Sequence, residues 1–221
     1  MQKLSARLEC IAGAVKPCTS AADIGTDHGY IPIYLCMNDI VGFAVAGDVS
    51  RGSAQKALDN VRACGLSDRI SVRVGDGIKI LRPEDKTECI IIAGMGGMLM
   101  CDILSGGDIS GVKQLVLQPQ KDIPAVRRYI HGAGFKIENE IMIYEDNKYY
   151  NIISAVRGSE EYTPLEYALG RILLNNGDAV LKTWLEKEIK RSEKLMPSVN
   201  EKRREELENM LAVYREGMKC L

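Results

Sequence analysis

Three aspartates, Asp23, Asp48 and Asp76, each stand where an apolar run gives way to a turn. An ionised carboxylate offers acceptors only, so it selects ligands that present paired hydroxyls, an amino group or an ammonium. Asp23 opens the stretch Asp23-Ile24-Gly25-Thr26-Asp27-His28-Gly29-Tyr30, in which Gly25 lets a ligand lie close against the backbone. Asp48, followed by Val49, ends the next apolar run, the place from which a carboxylate takes both hydroxyls of a ribose. Asp76 lies within Gly75-Asp76-Gly77. A fourth turn, Ala93-Gly94-Met95-Gly96-Gly97-Met98, brings backbone groups rather than amide side chains. Any one of these is only a turn, but carboxylates after three successive runs point to a shared ligand. Neither G-x-G-x-x-G nor G-x-x-x-x-G-K-[ST] occurs, so a pyrophosphate cradle is not expected. A nucleoside without pyrophosphate fits better, and S-adenosylmethionine is such a ligand.

For these turns to meet, the runs between them must be strands of one sheet pointing the same way. Segments 21–24, 41–49, 70–74, 89–93 and 115–117 predict strands, the fourth apolar throughout as a central strand covered on both faces requires. Between them, 31–37, a segment capped by Ser50 and running to Ala63, the stretch through Leu104, and 123–131 predict helices. Leu4, Leu8, Ile11 and Val15 place a further helix ahead of the first strand. Alternation of this kind gives an α/β fold with a parallel sheet and right-handed crossovers, whose ligands bind at the carboxyl ends of the strands. Segments 137–144 and 149–156 predict an antiparallel hairpin. Beyond Gly158 the pattern turns helical. Thr163-Pro164 starts one helix that Asn176-Gly177 ends, Asp178 caps a second and Asn200 a third. Leu181, Leu185, Ile189 and Leu195 then face Leu207, Leu211 and Tyr214 in a C-terminal α-helical hairpin resembling a short antiparallel coiled coil. The expected division is a ligand-binding domain over 1–158 and a helical domain over 159–221.

Composition narrows the class without naming it. Lys and Arg number 29 against 30 Asp and Glu, a balance that neither announces a nucleic-acid binder nor excludes one, since a local basic face is compatible with that total. The 7 cysteines are scattered without a C-x-x-C pair and the histidines number 2, so no metal site is expected. The N-terminal residues lack the apolar core of a signal peptide, and no apolar run approaches membrane-spanning length. A cytoplasmic protein with free thiols and no membrane partner is expected, with a monomer the favoured state.

With its loops set side by side, the chain resembles the TrmK family of bacterial tRNA methyltransferases, which methylate N1 of adenine 22. The resemblance rests on Asp23-Ile-Gly-Thr-Asp-His-Gly-Tyr30, Ala46-Gly-Asp-Val49, Gly75-Asp-Gly77, Ala93-Gly-Met-Gly-Gly97 and Leu117-Gln-Pro-Gln-Lys121, and it covers nearly the whole chain, tail included. It implies a Rossmann-like class I methyltransferase sheet, S-adenosylmethionine as cofactor and tRNA as partner. Asp23, Gly25, Asp48, Val49, Asp76, Gly77, Ala93 and Gly94 are then the expected cofactor-binding residues. Asp27, His28, Tyr30, Met95 and Gly96 are the expected catalytic ones. Adenine N1 carries a free lone pair, so the enzyme needs alignment rather than a base. A carboxylate such as Asp27 near the ring can stabilise the positive charge that develops there. His28 and Tyr30 can orient or stack the base, and Gln118 and Gln120 can reach it from the rim.

Two alternatives stay open at this point: a methyltransferase of a small molecule or protein whose tail serves oligomerisation, and a cofactor-binding protein without transfer activity. For RNA phosphates the sequence offers Lys182, Lys187, Lys190, Arg191 and Lys194, then Lys202, Arg203 and Arg204, and also Arg7 and the pair Arg127-Arg128. Glutamates interleave both helical clusters, which suits an ordinary solvated helix face better than an RNA-binding one.

Overall fold

Ile90, Ile91 and Ile92 are fully buried, yet Ile91 packs into one apolar cluster and its two neighbours into another. Alternate side chains of a strand point to opposite faces, so an all-apolar strand demands cover on both sides. The computed structural model describes residues 4–221 and supplies that cover. The strands are β1 (Cys18–Ile24), β2 (Val41–Asp48), β3 (Ile70–Val74), β4 (Cys89–Met95), β5 (Gln114–Pro119), β6 (Phe135–Glu145) and β7 (Lys148–Arg157). They form one sheet in the order β3-β2-β1-β4-β5-β7-β6, with β1 to β5 parallel and the β6–β7 hairpin antiparallel at the edge. Helices α1 (Ala6–Gly13), α2 (Tyr30–Met37) and α3 (Arg51–Ala63) cover one face through Ile11, Leu35 and Val61. Helices α4 (Gly97–Ser105) and α5 (Ile123–Gly132) cover the other through Met100, Leu104, Val126 and Ile130. This is the α/β, Rossmann-like sheet expected from the alternation.

Register brings the turns together. Asp23 pairs with Ala46, Ile24 with both Gly47 and Ile92, and Asp48 with Val74, so the strands end at one level. The chain order reverses at β1, between β2 and β4, where open parallel sheets bind their ligands. Local chemistry fixes the element ends. Ser50 Oγ accepts from the Ser53 amide at 3.3 Å and caps α3. Asp146 and Asn147 both take positive φ, as the tight β6–β7 turn requires.

The tail comprises α6 (Pro164–Leu169), α7 (Arg171–Asn175), α8 (Ala179–Leu195) and α9 (Glu201–Cys220). Asp178 and Asn200 cap α8 and α9 as expected. Met142 of β6 joins Leu169, Leu173, Leu181 and Leu185 in a third apolar cluster, which docks the tail on the sheet edge. Trp184 meets Tyr214 edge-on at 5.3 Å between α8 and α9. Two expectations need correction. The single helix expected after Thr163 breaks into α6 and α7 at Gly170, whose φ of +93° is left-handed. The break follows from a buried cation: Arg127 Nη1 donates to the Tyr167 and Ala168 carbonyls at 2.8 and 3.0 Å, capping α6 there. Leu195 is 42% exposed, outside the α8–α9 seam; the small Ser192 is buried instead, and Leu195 sits at the entry to the 3₁₀ turn Met196–Ser198. Among the described residues no helix is long and apolar enough to cross a membrane.

Candidate functional site

Two recesses adjoin at the carboxyl ends of the parallel strands. A slot of about 160 Å³ lies between the ends of β2 and β3 and the start of α4, with Asp48, Val49, Gly77 and Met95 among its walls. A wider cleft of about 410 Å³ opens over β1 and β4, bounded by Asp23, Asp27, Tyr30, Gly94, Gln120 and Tyr150 among others. Gly25 borders both, so it is the junction between them. The Gly25 and Thr26 amides donate to the Gly47 carbonyl at 2.7 and 2.9 Å, which pins the turn to β2. A side chain on Gly25 would collide with the Met95 thioether methyl and close the junction. A larger groove of about 600 Å³ lies elsewhere, and three of its charged residues are paired locally, Lys79 with Asp76, Arg82 with Glu84 and Glu88 with Lys113.

The three strand-end aspartates are not equivalent. Asp23 is 6% exposed, and burial, helped by the negative charge of Asp48, pushes its pKa up to about 6. Beside it in the cleft, Thr26 Oγ1 is buried as well. A buried carboxylate beside a buried hydroxyl makes a polar recess suited to a ligand's donors. Asp48 is half-buried; its Oδ1 accepts from the Ser50 amide at 2.7 Å, and its Oδ2 has no partner among the described residues. Asp76 stands at the rim, with a side chain 69% exposed and paired to Lys79 Nζ at 2.5 Å.

On the cleft side, His28 and Tyr30 stack with ring centroids 5.1 Å apart and planes within 3°. Asp27 is exposed beside them, 3.3 Å from His28 Nε2 and 3.8 Å from Lys56 Nζ. Asn60 Nδ2 donates to the His28 carbonyl at 2.9 Å and so holds this loop in place. Within the fourth turn the glycines divide their work. Ala93 and Gly94 border the cleft and Met95 the slot. Gly96 borders neither: it precedes α4 and packs against the Lys121 side chain. Gly97 donates to the Lys121 carbonyl at 3.0 Å, and a Cβ there would lie 2.6 Å from that oxygen. It is a close-packing glycine, as Met100 is a core residue.

The structure separates the two rim amides. Gln120 is exposed at the cleft, whereas Gln118 is fully buried in β5, where its Oε1 accepts from Arg7 Nη1 at 2.8 Å. The expectation that both amides face a substrate fails for Gln118, because the covered face of a central strand leaves it no route to the rim. Arg127 is corrected likewise. It is 1% exposed, and its Nε and Nη2 donate to Glu140 Oε1 at 2.8 and 2.6 Å, so it offers nothing to a phosphate. Tyr150, at the start of β7, escaped the sequence reading. No local pattern marks it, since only the β5–β7 pairing carries it to the cleft.

Residues 4–153 match the family model described as "Methyltransferase domain". The chain is 33% identical over 82% of its length to the tRNA (adenine(22)-N(1))-methyltransferase of Bacillus subtilis (strain 168), covering 80% of that protein. Among solved structures, it superposes on M. capricolum TrmK in complex with S-adenosyl-homocysteine with a TM-score of 0.92 and 27% identity, covering 99% of both chains. A Streptococcus pneumoniae protein solved in complex with S-adenosyl-L-methionine gives a TM-score of 0.91 and 30% identity, over 98% of this chain and 100% of that one.

Proposed function

The chain belongs to the TrmK family of S-adenosylmethionine-dependent tRNA (adenine(22)-N(1))-methyltransferases, and from that membership we propose how its own residues carry the reaction. The supporting observation is the junction at Gly25, where a nucleoside-sized slot with Asp48 on its wall runs into a cleft holding Asp23 and Asp27. The residues present suit the cofactor. Asp23 and Thr26 supply a buried carboxylate and a buried hydroxyl for an ammonium, and Asp48 offers a carboxylate oxygen for ribose hydroxyls. Met95 and Val49 give the slot its apolar walls, and Asp76 with Gly77 closes its rim. When bound, S-adenosylmethionine supplies an electrophilic methyl group.

The protein's own contribution is alignment and charge. The stacked His28 and Tyr30 rings form a flat platform for an unstacked adenine, which must leave the tRNA fold to reach the cleft. Asn60 keeps that platform level through the His28 carbonyl. Ala93 and Gly94 bound the opposite side with backbone, leaving room for the base edge. Asp27 faces the same opening, where its negative charge stabilises the adenine ring as methylation makes it cationic. The partner is tRNA, the setting is the cytoplasm, and the sheet with its helices (1–158) does the chemistry, with the helical tail (159–221) docked on its edge.

The direct test is methyl transfer to unmodified bulk tRNA followed by nucleoside analysis. Formation of 1-methyladenosine at position 22 is expected, and methylation of any other atom would overturn the regiochemistry. Asp27→Ala and Asp27→Asn are both expected to slow single-turnover transfer about tenfold, less than the roughly 10²–10³-fold typical of a preorganised buried stabiliser, because the carboxylate is exposed. Cofactor affinity measured by calorimetry should not move. Normal turnover in both variants would remove Asp27 from the mechanism.

A further inference from the structure

Tyr144 and Tyr149 face each other across the β6–β7 ribbon near its tip, with ring centroids 4.6 Å apart. The Tyr144 hydroxyl donates to Asn147 Oδ1 at 3.1 Å, which fixes the ring, yet the residue stays 49% exposed. From α8, Lys187 Nζ stands over both rings, 4.7 Å from the Tyr144 centroid and 5.0 Å from that of Tyr149. Lys187 forms no ion pair with a carboxylate among the described residues, and neither does Lys148 beside the turn. Cations elsewhere on the tail are treated differently: Arg203 pairs with Glu206 and Arg215 with Glu193. Here the ring faces alone hold the ammonium, and its charge is left open to a ligand.

The helical repeat sorts the charges that alternate along the sequence of α8. Lys187, Lys190, Arg191 and Lys194, spaced by three, four and seven, share one face, and Glu186, Glu188 and Glu193 fall to its sides. Of the four cations only Arg191 is paired among the described residues, with Glu188 at 3.6 Å. The aromatic pair therefore stands at the head of a cationic stripe. Its position relative to the cleft follows from the sheet. β7 runs antiparallel to β5, so its first residues lie at the carboxyl ends of the parallel strands. Neighbouring side chains of a strand point to opposite faces. Tyr150 turns to the cleft, where the Arg7 guanidinium lies 5.3 Å over its ring, and Tyr149 turns to the tail. An RNA that places one base in the cleft brings its flanking nucleotides to this tip.

We propose that Tyr144, Tyr149 and Lys187 form a docking platform, outside the cleft, for an unpaired nucleotide of the tRNA. The exposed Tyr144 ring takes the base, and Lys187 with the stripe behind it draws the phosphates. Aromatic faces beside unneutralised cations hold single-stranded RNA by base stacking and counter-ion release. The platform rests on the reading of the cleft as a tRNA-methylating site and adds a second contact to it.

Tyr144→Leu, Tyr144→Phe and Lys187→Gln in the full-length protein test it, with an unmodified tRNA transcript as substrate. Tyr144→Leu is expected to raise KM for tRNA at least about fivefold, the loss of one stacked base, while Tyr144→Phe stays within about twofold of wild type. Lys187→Gln raises KM as well, and the slope of log kcat/KM against log salt becomes shallower by about one unit. Single-turnover transfer at saturating tRNA and S-adenosylmethionine affinity stay as in wild type. A KM within about twofold of wild type in either Tyr144→Leu or Lys187→Gln overturns the platform, whether or not the melting temperature falls. So does a Tyr144→Phe variant as impaired as Tyr144→Leu, since stacking needs the ring and not the hydroxyl. Altered sedimentation with unchanged KM would give this face to a second copy of the chain instead. Wild-type protein that fails to methylate tRNA would overturn the family-based reading itself.

Discussion

Arg127→Met is expected to lower the melting temperature by about 10 °C, while Arg127→Met/Glu140→Leu recovers at least half of that loss. Glu140 is fully buried, and both guanidinium donors fall on its Oε1, leaving Oε2 without a partner among the described residues. Burial pushes the Glu140 carboxyl up, and Arg127 opposes that push. Removing the cation alone strands a buried carboxylate, a change that costs about 3–5 kcal/mol. For a chain of this size each kcal/mol is worth about 2–4 °C. The double variant removes both desolvated charges and replaces them with apolar volume, which is often neutral. Recovery stays partial because Arg127 also caps α6 through the Tyr167 and Ala168 carbonyls. Differential scanning calorimetry of the three proteins tests this. A double variant no better than the single one would show that the caps, not the ion pair, carry the energy.

Asp23 couples the cofactor to pH, and the expected result is a cofactor affinity that falls about tenfold for each pH unit below 6. Its folded-state pKa of about 6 lies above the ordinary value of 3.8, chiefly through burial. The folded apo protein therefore holds a proton that the unfolded chain releases at lower pH. Its contribution to stability is complete below pH about 4 and is lost as pH rises through 6. Above that, the ionised carboxylate destabilises the apo fold by about 3 kcal/mol. An ammonium from the ligand relieves the penalty, so binding is strongest where the apo protein is least stable. Thermal-shift titrations between pH 5 and 8 should show the apo melting temperature falling and the cofactor-induced shift growing. Asp23→Asn should flatten both trends, raise the apo melting temperature at pH 7.5 and bind cofactor weakly. A pH-independent shift in the wild type would show that Asp23 does not meet the ligand's ammonium.

These two effects differ in how far the sequence announces them. Asp23, Asp48 and Asp76 declare themselves because a carboxylate at a strand end is a local pattern, and the parallel register does the rest. Ser50, Asp178 and Asn200 are equally local, since a cap bonds to amides two or three residues away. Arg127 gives no such sign. Next to Arg128 it reads as a basic pair, and only the meeting of α5, β6 and α6 makes it an interior residue. Gly170 follows from the same junction: the apolar spacing of Leu165, Leu169 and Ile172 is continuous, and the break comes from what packs against it. Arg7, Gln118 and Tyr150 lie on three distant segments and meet only because β7 returns beside β5. Gly96 and Gly97 show the reverse case, glycines in a site-like motif whose neighbours are packing contacts.

The single tryptophan of the chain is Trp184, set edge-on to Tyr214 between α8 and α9. Indole emission is thus an optical reporter of the helical hairpin and of the apolar cluster that docks it on the sheet edge. A melt followed by fluorescence and again by cofactor binding reads two parts of the molecule separately. Coincident curves would mean that hairpin and sheet unfold as one cooperative unit. Fluorescence that changes first, with binding intact, would identify the hairpin as a detachable arm.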